Sequence, residues 1–159
     1  MSRRGQPQQH KAQPDPIYKN LLVTKLIGRA MKDGKKSVAE KQIYRAFEIV
    51  KEKTGQDPMT VFNLAMQNIE PTMEVRPTRI GGAAYQVPMS VRGSRRESLG
   101  IRWLVTMSRT RSNSEYHTYA EKLAAEIIDA SKGEGLSVKK RQDVEKMAEA
   151  NRAFAHFRW

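Results

Sequence analysis

Glu74-Val75-Arg76-Pro77-Thr78-Arg79-Ile80-Gly81-Gly82-Ala83-Ala84-Tyr85-Gln86-Val87-Pro88 is the stretch whose reading decides the fold. Two extended segments flank Gly81-Gly82, and paired glycines take the positive φ angles of a tight two-residue turn without steric penalty. On the return segment Tyr85, Val87, Met89 and Val91 alternate with Ala84, Gln86, Pro88 and Ser90, the period of two that marks a strand. Pro77 and Pro88 cannot donate to a ladder, which places these strands at an edge or in a free arm. A two-stranded ribbon alone is marginal in water, so this one requires something to lie against.

Charge says what that something is. Between Arg76 and Arg111 stand eight basic residues, all arginine, against the single acid Glu97. A guanidinium is a planar fork of donors that suits phosphate oxygens and stacks on bases, whereas an ammonium is a hydrated point charge. An ordinary solvated surface mixes both signs. The run therefore predicts a docking face for a polyanion. That reading requires guanidinium groups left over for a partner, neither splayed idly into solvent nor paired off with the chain's own carboxylates.

The rest of the chain is consistent with one core carrying arms. It has 159 residues, a formal net charge of +12, 38% hydrophobic and 7% aromatic residues, and no cysteine. Such a charge is the electrostatic footprint of a nucleic-acid binder. The absence of cysteine excludes disulfides and thiolate metal sites and fits a reducing cytosol. No apolar run is long enough to span a bilayer, and Met1-Ser2-Arg3-Arg4-Gly5-Gln6-Pro7 does not lead into a signal peptide. The charge is concentrated in two blocks. Residues 1 to 36 hold nine basic against two acidic residues, and residues 76 to 111 hold eight against one; the segments after each are close to neutral. The partner is thus expected on particular faces.

Residues 1–16, polar, basic and punctuated by Pro7, Pro14 and Pro16, read as a disordered N-terminal arm that orders on its partner. Residues 17–153 read as a helical domain that includes the ribbon, residues 72–91, and residues 154–159 as a C-terminal tail. Apolar spacing predicts six helices. The first carries Leu22, Leu26, Ala30 and Met31 and stops at Asp33-Gly34. The second opens at Ser37 with Glu40 as a capping box and ends at Thr54-Gly55. The third opens with Asp57 as N-cap and Pro58 in its first turn. A fourth, with Ser94 and Glu97 as a second capping box, points Leu99, Trp103, Leu104 and Met107 inward. In it Arg95, Arg102 and Arg109 recur every seven residues and share a face. A fifth holds Tyr116, Tyr119, Leu123 and Ile127, and a last begins near Ser137.

Catalytic chemistry is nearly absent. Gly34-Lys35-Lys36-Ser37 resembles the end of a phosphate-binding loop, but the spacing from Gly28 is wrong and no strand precedes it. His10, His117 and His156 are isolated, with no second ligand or carboxylate at catalytic spacing. No cofactor and no enzymatic activity are expected. Trp103 belongs to the core stripe, while Tyr85, Phe157 and Trp159 are free either to pack or to stack on unpaired bases.

Several of these segments also resemble a known family. Arg79-Ile80-Gly81-Gly82, Tyr85-Gln86-Val87-Pro88, Arg95-Arg96 and Arg102-Trp103 are similar to the small-subunit ribosomal protein seven family in its bacterial form. So are Pro14-Asp15-Pro16, Asp33-Gly34-Lys35-Lys36-Ser37 and the tail from Met147 to Phe157, all in one register. The resemblance implies a mainly α fold: a bundle of six helices with a protruding two-stranded antiparallel β-ribbon and extended N- and C-terminal arms. It implies a structural constituent of the small ribosomal subunit in the cytoplasm. That protein binds the 3′ major (head) domain of small-subunit rRNA directly and nucleates head assembly. It carries rRNA contacts onto Arg3, Arg4, Lys35, Lys36, Arg76, Arg79, Arg92, Arg95, Arg96, Arg102, Arg109 and Arg111. The ribbon tip, at Arg79, Gly81, Gly82 and Tyr85, is implied to lie near the exit-site tRNA and the mRNA path. The tail, Phe157, Arg158 and Trp159, is implied to meet neighbouring RNA and the eleventh small-subunit protein. Pro77-Thr78 stands where many relatives carry a further basic residue. Two rivals remain open on the residues alone: an architectural DNA binder whose ribbon enters a groove, and an RNA-acting enzyme.

Overall fold

A computed structural model of the chain describes residues 12–157. The described residues form six α-helices and one hairpin, in the order α1 (Leu21–Ala30), α2 (Lys36–Thr54), α3 (Pro58–Ile69), β1 (Met73–Ile80), β2 (Ala83–Ser90), α4 (Gly93–Thr110), α5 (Tyr119–Ser131) and α6 (Leu136–Ala150). A short 3-10 segment, Arg152–Phe157, follows α6. The mainly α fold with a two-stranded antiparallel ribbon is as the sequence predicts.

Start signals explain most helix ends. The Asn20 side chain accepts from the Leu22 N–H at 2.7 Å, and Asp57 accepts from Thr60 with Pro58 in the first turn of α3. Gly55 ends α2 at φ +68°, a left-handed cap that costs glycine nothing. Both predicted capping boxes fail, however. α2 begins at Lys36 and α4 at Gly93, so Ser37 and Ser94 sit inside the first turn, and neither helix has a side-chain cap. Their glutamates are drawn elsewhere, Glu40 toward Lys36 at 3.5 Å and Glu97 to Lys25 of α1. The capping box that does form is Thr118 with Glu121 at the head of α5. It starts α5 after Tyr116, which the sequence reading placed within that helix.

α2, α3, α4 and α5 enclose the core. Phe47, Phe62, Ile43, Leu104, Leu123 and Ile127 are fully buried, and Phe47 meets Phe62 edge-on at 5.5 Å. Trp103 is buried with them, as its helical stripe predicts.

The expected N-terminal arm, residues 1–16, is described only from Ala12 onward. Residues 1–11 lie outside the described residues, but Pro14-Asp15-Pro16 belongs to the folded body. The buried Asp15 carboxylate accepts from the Ile17 and Tyr18 amides and from the Tyr44 hydroxyl of α2 at 2.7 Å. A buried carboxylate needs such donors, and the three together fasten the chain's entry to α2.

Candidate nucleic-acid interface

The ribbon closes at the predicted Gly81-Gly82 turn. Met73 pairs with Ser90 and Ile80 with Ala83, leaving Gly81 and Gly82 as a two-residue turn with φ +57° and +90°. Positive φ at both turn residues matches the right-handed twist of the strands. Thr78 lies opposite Tyr85 and Arg76 opposite Val87, so those side chains share one face, while Arg79 and Ala84 share the other.

The Tyr85 face is where the tail comes back. The Tyr85 ring lies 5.4 Å from both Phe154 and Phe157, and those two stack nearly parallel at 6.4 Å. Of the rings expected either to pack or to stack on bases, Tyr85 and Phe157 lie against each other and both stay partly exposed. Arg158 and Trp159 lie outside the described residues, as do Arg3 and Arg4.

The predicted arginines divide into three groups. At the ribbon's foot the Glu74 carboxylate, almost fully buried, is shared by two of them. Arg76 Nε donates at 2.5 Å, and Arg95 Nε reaches both carboxylate oxygens at 2.9 Å. Burial alone would raise the Glu74 carboxyl, but the hydrogen bonds from Arg95 and Arg76 outweigh it and hold the group below the usual carboxylate range. Two guanidiniums on one carboxylate leave a net positive charge, and both heads stay about half exposed. Arg96 is ion-paired to Glu70 at 3.2 Å.

Arg111 is an internal fastener. It is nearly buried, donates to Glu126 at 2.7 Å and is ion-paired to Asp129. The other Glu126 oxygen accepts from the Ser137 amide at 2.7 Å, which ties the end of α4 through α5 to the start of α6. Arg109 is partly spent: it donates to the Ala30 carbonyl at 2.8 Å and lies over the Tyr119 ring at 5.9 Å. The requirement that these side chains escape the chain's own carboxylates therefore fails for Arg111 and holds only in part at Arg76, Arg95 and Arg96. The reason is distance in sequence, since Glu74, Glu70 and Glu126 lie outside the Arg76–Arg111 block.

The third group is unspent. The side chains of Arg79, Arg92, Arg102 and Lys35 are exposed and make no hydrogen bond or ion pair among the described residues; Lys36 reaches only the half-exposed Glu40. Arg92 stands with Arg76 and Arg95 around a recess of about 420 Å³ at the ribbon base. Lys25 and Arg29 of α1 line a second recess with Ser94 and Ser98 of α4. The sequence reading did not single out these α1 cations, although their excess in residues 1 to 36 was visible. Among the described residues, no three His, Cys, Asp or Glu side chains gather as a metal site, and no helix is long and apolar enough to cross a membrane.

Fold and surface define a class: a helical bundle with a protruding two-stranded ribbon, whose ribbon and α1–α4 face carry exposed cationic side chains. The chain belongs to the family described as ribosomal protein S7p/S5e, whose model matches residues 2–152. Along the full length of both chains it is 58% identical to the protein from Carboxydothermus hydrogenoformans called small ribosomal subunit protein uS7. Proteins of the same name from Thermodesulfovibrio yellowstonii and Streptococcus mutans are 57% and 55% identical, again over all 159 residues. The family is a structural, non-enzymatic one, which removes the RNA-acting enzyme as a rival.

Proposed function

We propose that the chain is a structural constituent of the small ribosomal subunit that binds the 3′ major domain of its rRNA and nucleates assembly of the head. One observation carries this: Lys35, Arg79, Arg92 and Arg102 are exposed cations with no hydrogen bond or ion pair among the described residues, on a chain that aligns end to end with proteins called small ribosomal subunit protein uS7. The half-exposed heads of Arg76, Arg95 and Arg96, held in place by Glu74 and Glu70, add donors whose orientation is set before the partner arrives. RNA helices converging on the protein bring phosphates closer than their repulsion allows unaided, and cations between them release condensed counterions. Arg3 and Arg4 add further contacts to the same RNA. The ribbon tip, Arg79 to Tyr85, is directed at the exit-site tRNA and the messenger. The tail, Phe157 to Trp159, is directed at neighbouring RNA and the eleventh small-subunit protein, with the whole assembly in the cytoplasm.

Hydroxyl-radical footprinting on naked small-subunit rRNA tests this. Protection confined to the 3′ major domain, weakening linearly with the logarithm of salt concentration and resistant to duplex DNA competitor, is expected. Protection elsewhere, or equal displacement by duplex DNA, overturns the reading in favour of an architectural DNA binder.

A further inference from the structure

Glu74 is a carboxylate set into a face otherwise suited to phosphates, where bulk electrostatics make it a liability. It is 7% exposed and sits at the foot of β1, opposite Met89, in a recess of about 420 Å³ lined also by Arg76, Val91, Arg92 and Arg95. Arg95 meets it edge-on, through Nε at 2.9 Å and Nη2 at 2.8 Å, and Arg76 through Nε at 2.5 Å. Burial pushes the carboxyl up, but the hydrogen bonds outweigh it and hold the group below the usual range, so it is charged at neutral pH. Much of each guanidinium is left over. The Nη1 groups of both arginines, and Nη2 of Arg76, make no hydrogen bond among the described residues, and both side chains are 48% exposed. Arg92, exposed and without a hydrogen bond or ion pair among the described residues, lines the same recess. Met89 and Val91 add an apolar lining, beside which a cation–phosphate pair is screened less than in open water.

We propose that Glu74 is a positioning residue for RNA: it holds Arg76 and Arg95 as a pre-formed clamp that, with Arg92, takes one backbone phosphate of the bound strand in the recess at the ribbon's foot. A guanidinium matches phosphate oxygens with a planar fork of donors, but only when its long side chain is ordered. Ordering two such chains at the moment of binding lowers affinity; Glu74 orders them when the protein folds. The recess lies at the start of α4, a helix without a side-chain cap, whose amino end adds partial positive charge. A mere fastener between strand and helix would behave differently. Removing its negative charge from a polyanion-binding face would strengthen RNA binding, whereas removing a positioning carboxylate weakens it. This inference rests on the reading of the chain as an rRNA binder.

The test uses the full-length protein and a transcript of the 3′ major domain, with affinity measured directly and individual phosphates read by ethylation interference. Glu74→Gln keeps the size of the side chain and removes its charge. It is expected to bind about tenfold more weakly, despite the gain in net positive charge, and to lose an interference signal that wild type shows at one phosphate. Arg76→Ala combined with Arg95→Ala should lose the same signal, and adding Glu74→Gln to that pair should weaken binding no further. Melting curves of the free variants set a temperature at which all are folded. If Glu74→Gln binds as tightly as wild type, or more tightly, the positioning proposal falls while rRNA binding stands. If it weakens binding equally with and without the two arginines, Glu74 acts through the fold and the proposal falls as well. If wild type itself leaves the transcript unbound, both readings fall.

Discussion

Glu74 near the start of β1 grips Arg95 in the first turn of α4 through both carboxylate oxygens, each 2.9 Å from the guanidinium Nε. The whole ribbon lies between the two residues in sequence, so the pair ties the foot of β1 to the first turn of α4. Replacing the carboxylate frees Arg95 and Arg76 together.

Glu74→Gln should lower stability by about 1 kcal/mol, the modest worth of an ion pair whose cations are half exposed. It should also change the acid limb of unfolding. The folded carboxyl lies below its ordinary value because the hydrogen bonds from Arg95 and Arg76 overcome the opposing effect of burial. Its stabilisation is therefore complete above the usual carboxylate range and is lost as pH falls through the lowered folded value. Thermal melts between neutral and strongly acid pH should show wild type and Glu74→Gln converging at the acid end. Parallel curves would rule the linkage out.

Arg111 and Arg102 separate folding from binding. Arg111→Ala leaves the buried Glu126 unpaired and should cost about 3 to 5 kcal/mol in denaturant unfolding. Arg102→Ala, on an exposed side chain without a partner among the described residues, should change stability by less than about 0.5 kcal/mol. Its effect belongs in RNA titrations across a salt series, where the slope should shrink by about 0.7 to 0.9. Equal stability losses in the two variants would contradict the division drawn between them.

Gly135 and Gly55 both hold positive φ, but their surroundings differ. A Cβ at Gly135 (φ +94°) meets Glu126 Oε1 and Asp129 Cβ at 3.2 Å, whereas one at Gly55 (φ +68°) meets nothing within 4 Å. Gly55→Ala should cost about 1 kcal/mol from backbone strain alone. Gly135→Ala should cost more, because it also crowds the carboxylate that holds Arg111. Calorimetric melting temperatures give the ranking.

The tail's grip on the ribbon is measurable as a coupling. Tyr85→Ala and Phe154→Ala, alone and combined, should yield an interaction energy of about 1 kcal/mol, the usual worth of an aromatic pair beyond its buried area. Phe157→Ala should speed amide exchange in β2 while leaving α2 and α5 untouched. Simple additivity of the two alanine changes would mean the rings merely lie near each other.

Much of this molecule is written in short-range pattern. The Gly81-Gly82 turn, the alternation of the return strand, the Asp57-Pro58 start of α3, the Gly55 stop and the core stripe containing Trp103 depend on residues no more than a few positions apart, and all were legible. The failed caps at Ser37 and Ser94 show the limit of that legibility. A capping glutamate must also have no better offer, and Lys25, seventy-two positions from Glu97, supplied one. The same physics decided the arginines. Their number and spacing are properties of the chain, but which of them stay available depends on Glu74, Glu70 and Glu126 being carried to them by packing. Charge density alone thus identified a basic face for a polyanion. Only the folded body, where opposite charges distant in sequence meet at low solvent exposure, separated the arginines paired with the chain's own carboxylates from those with no such partner among the described residues.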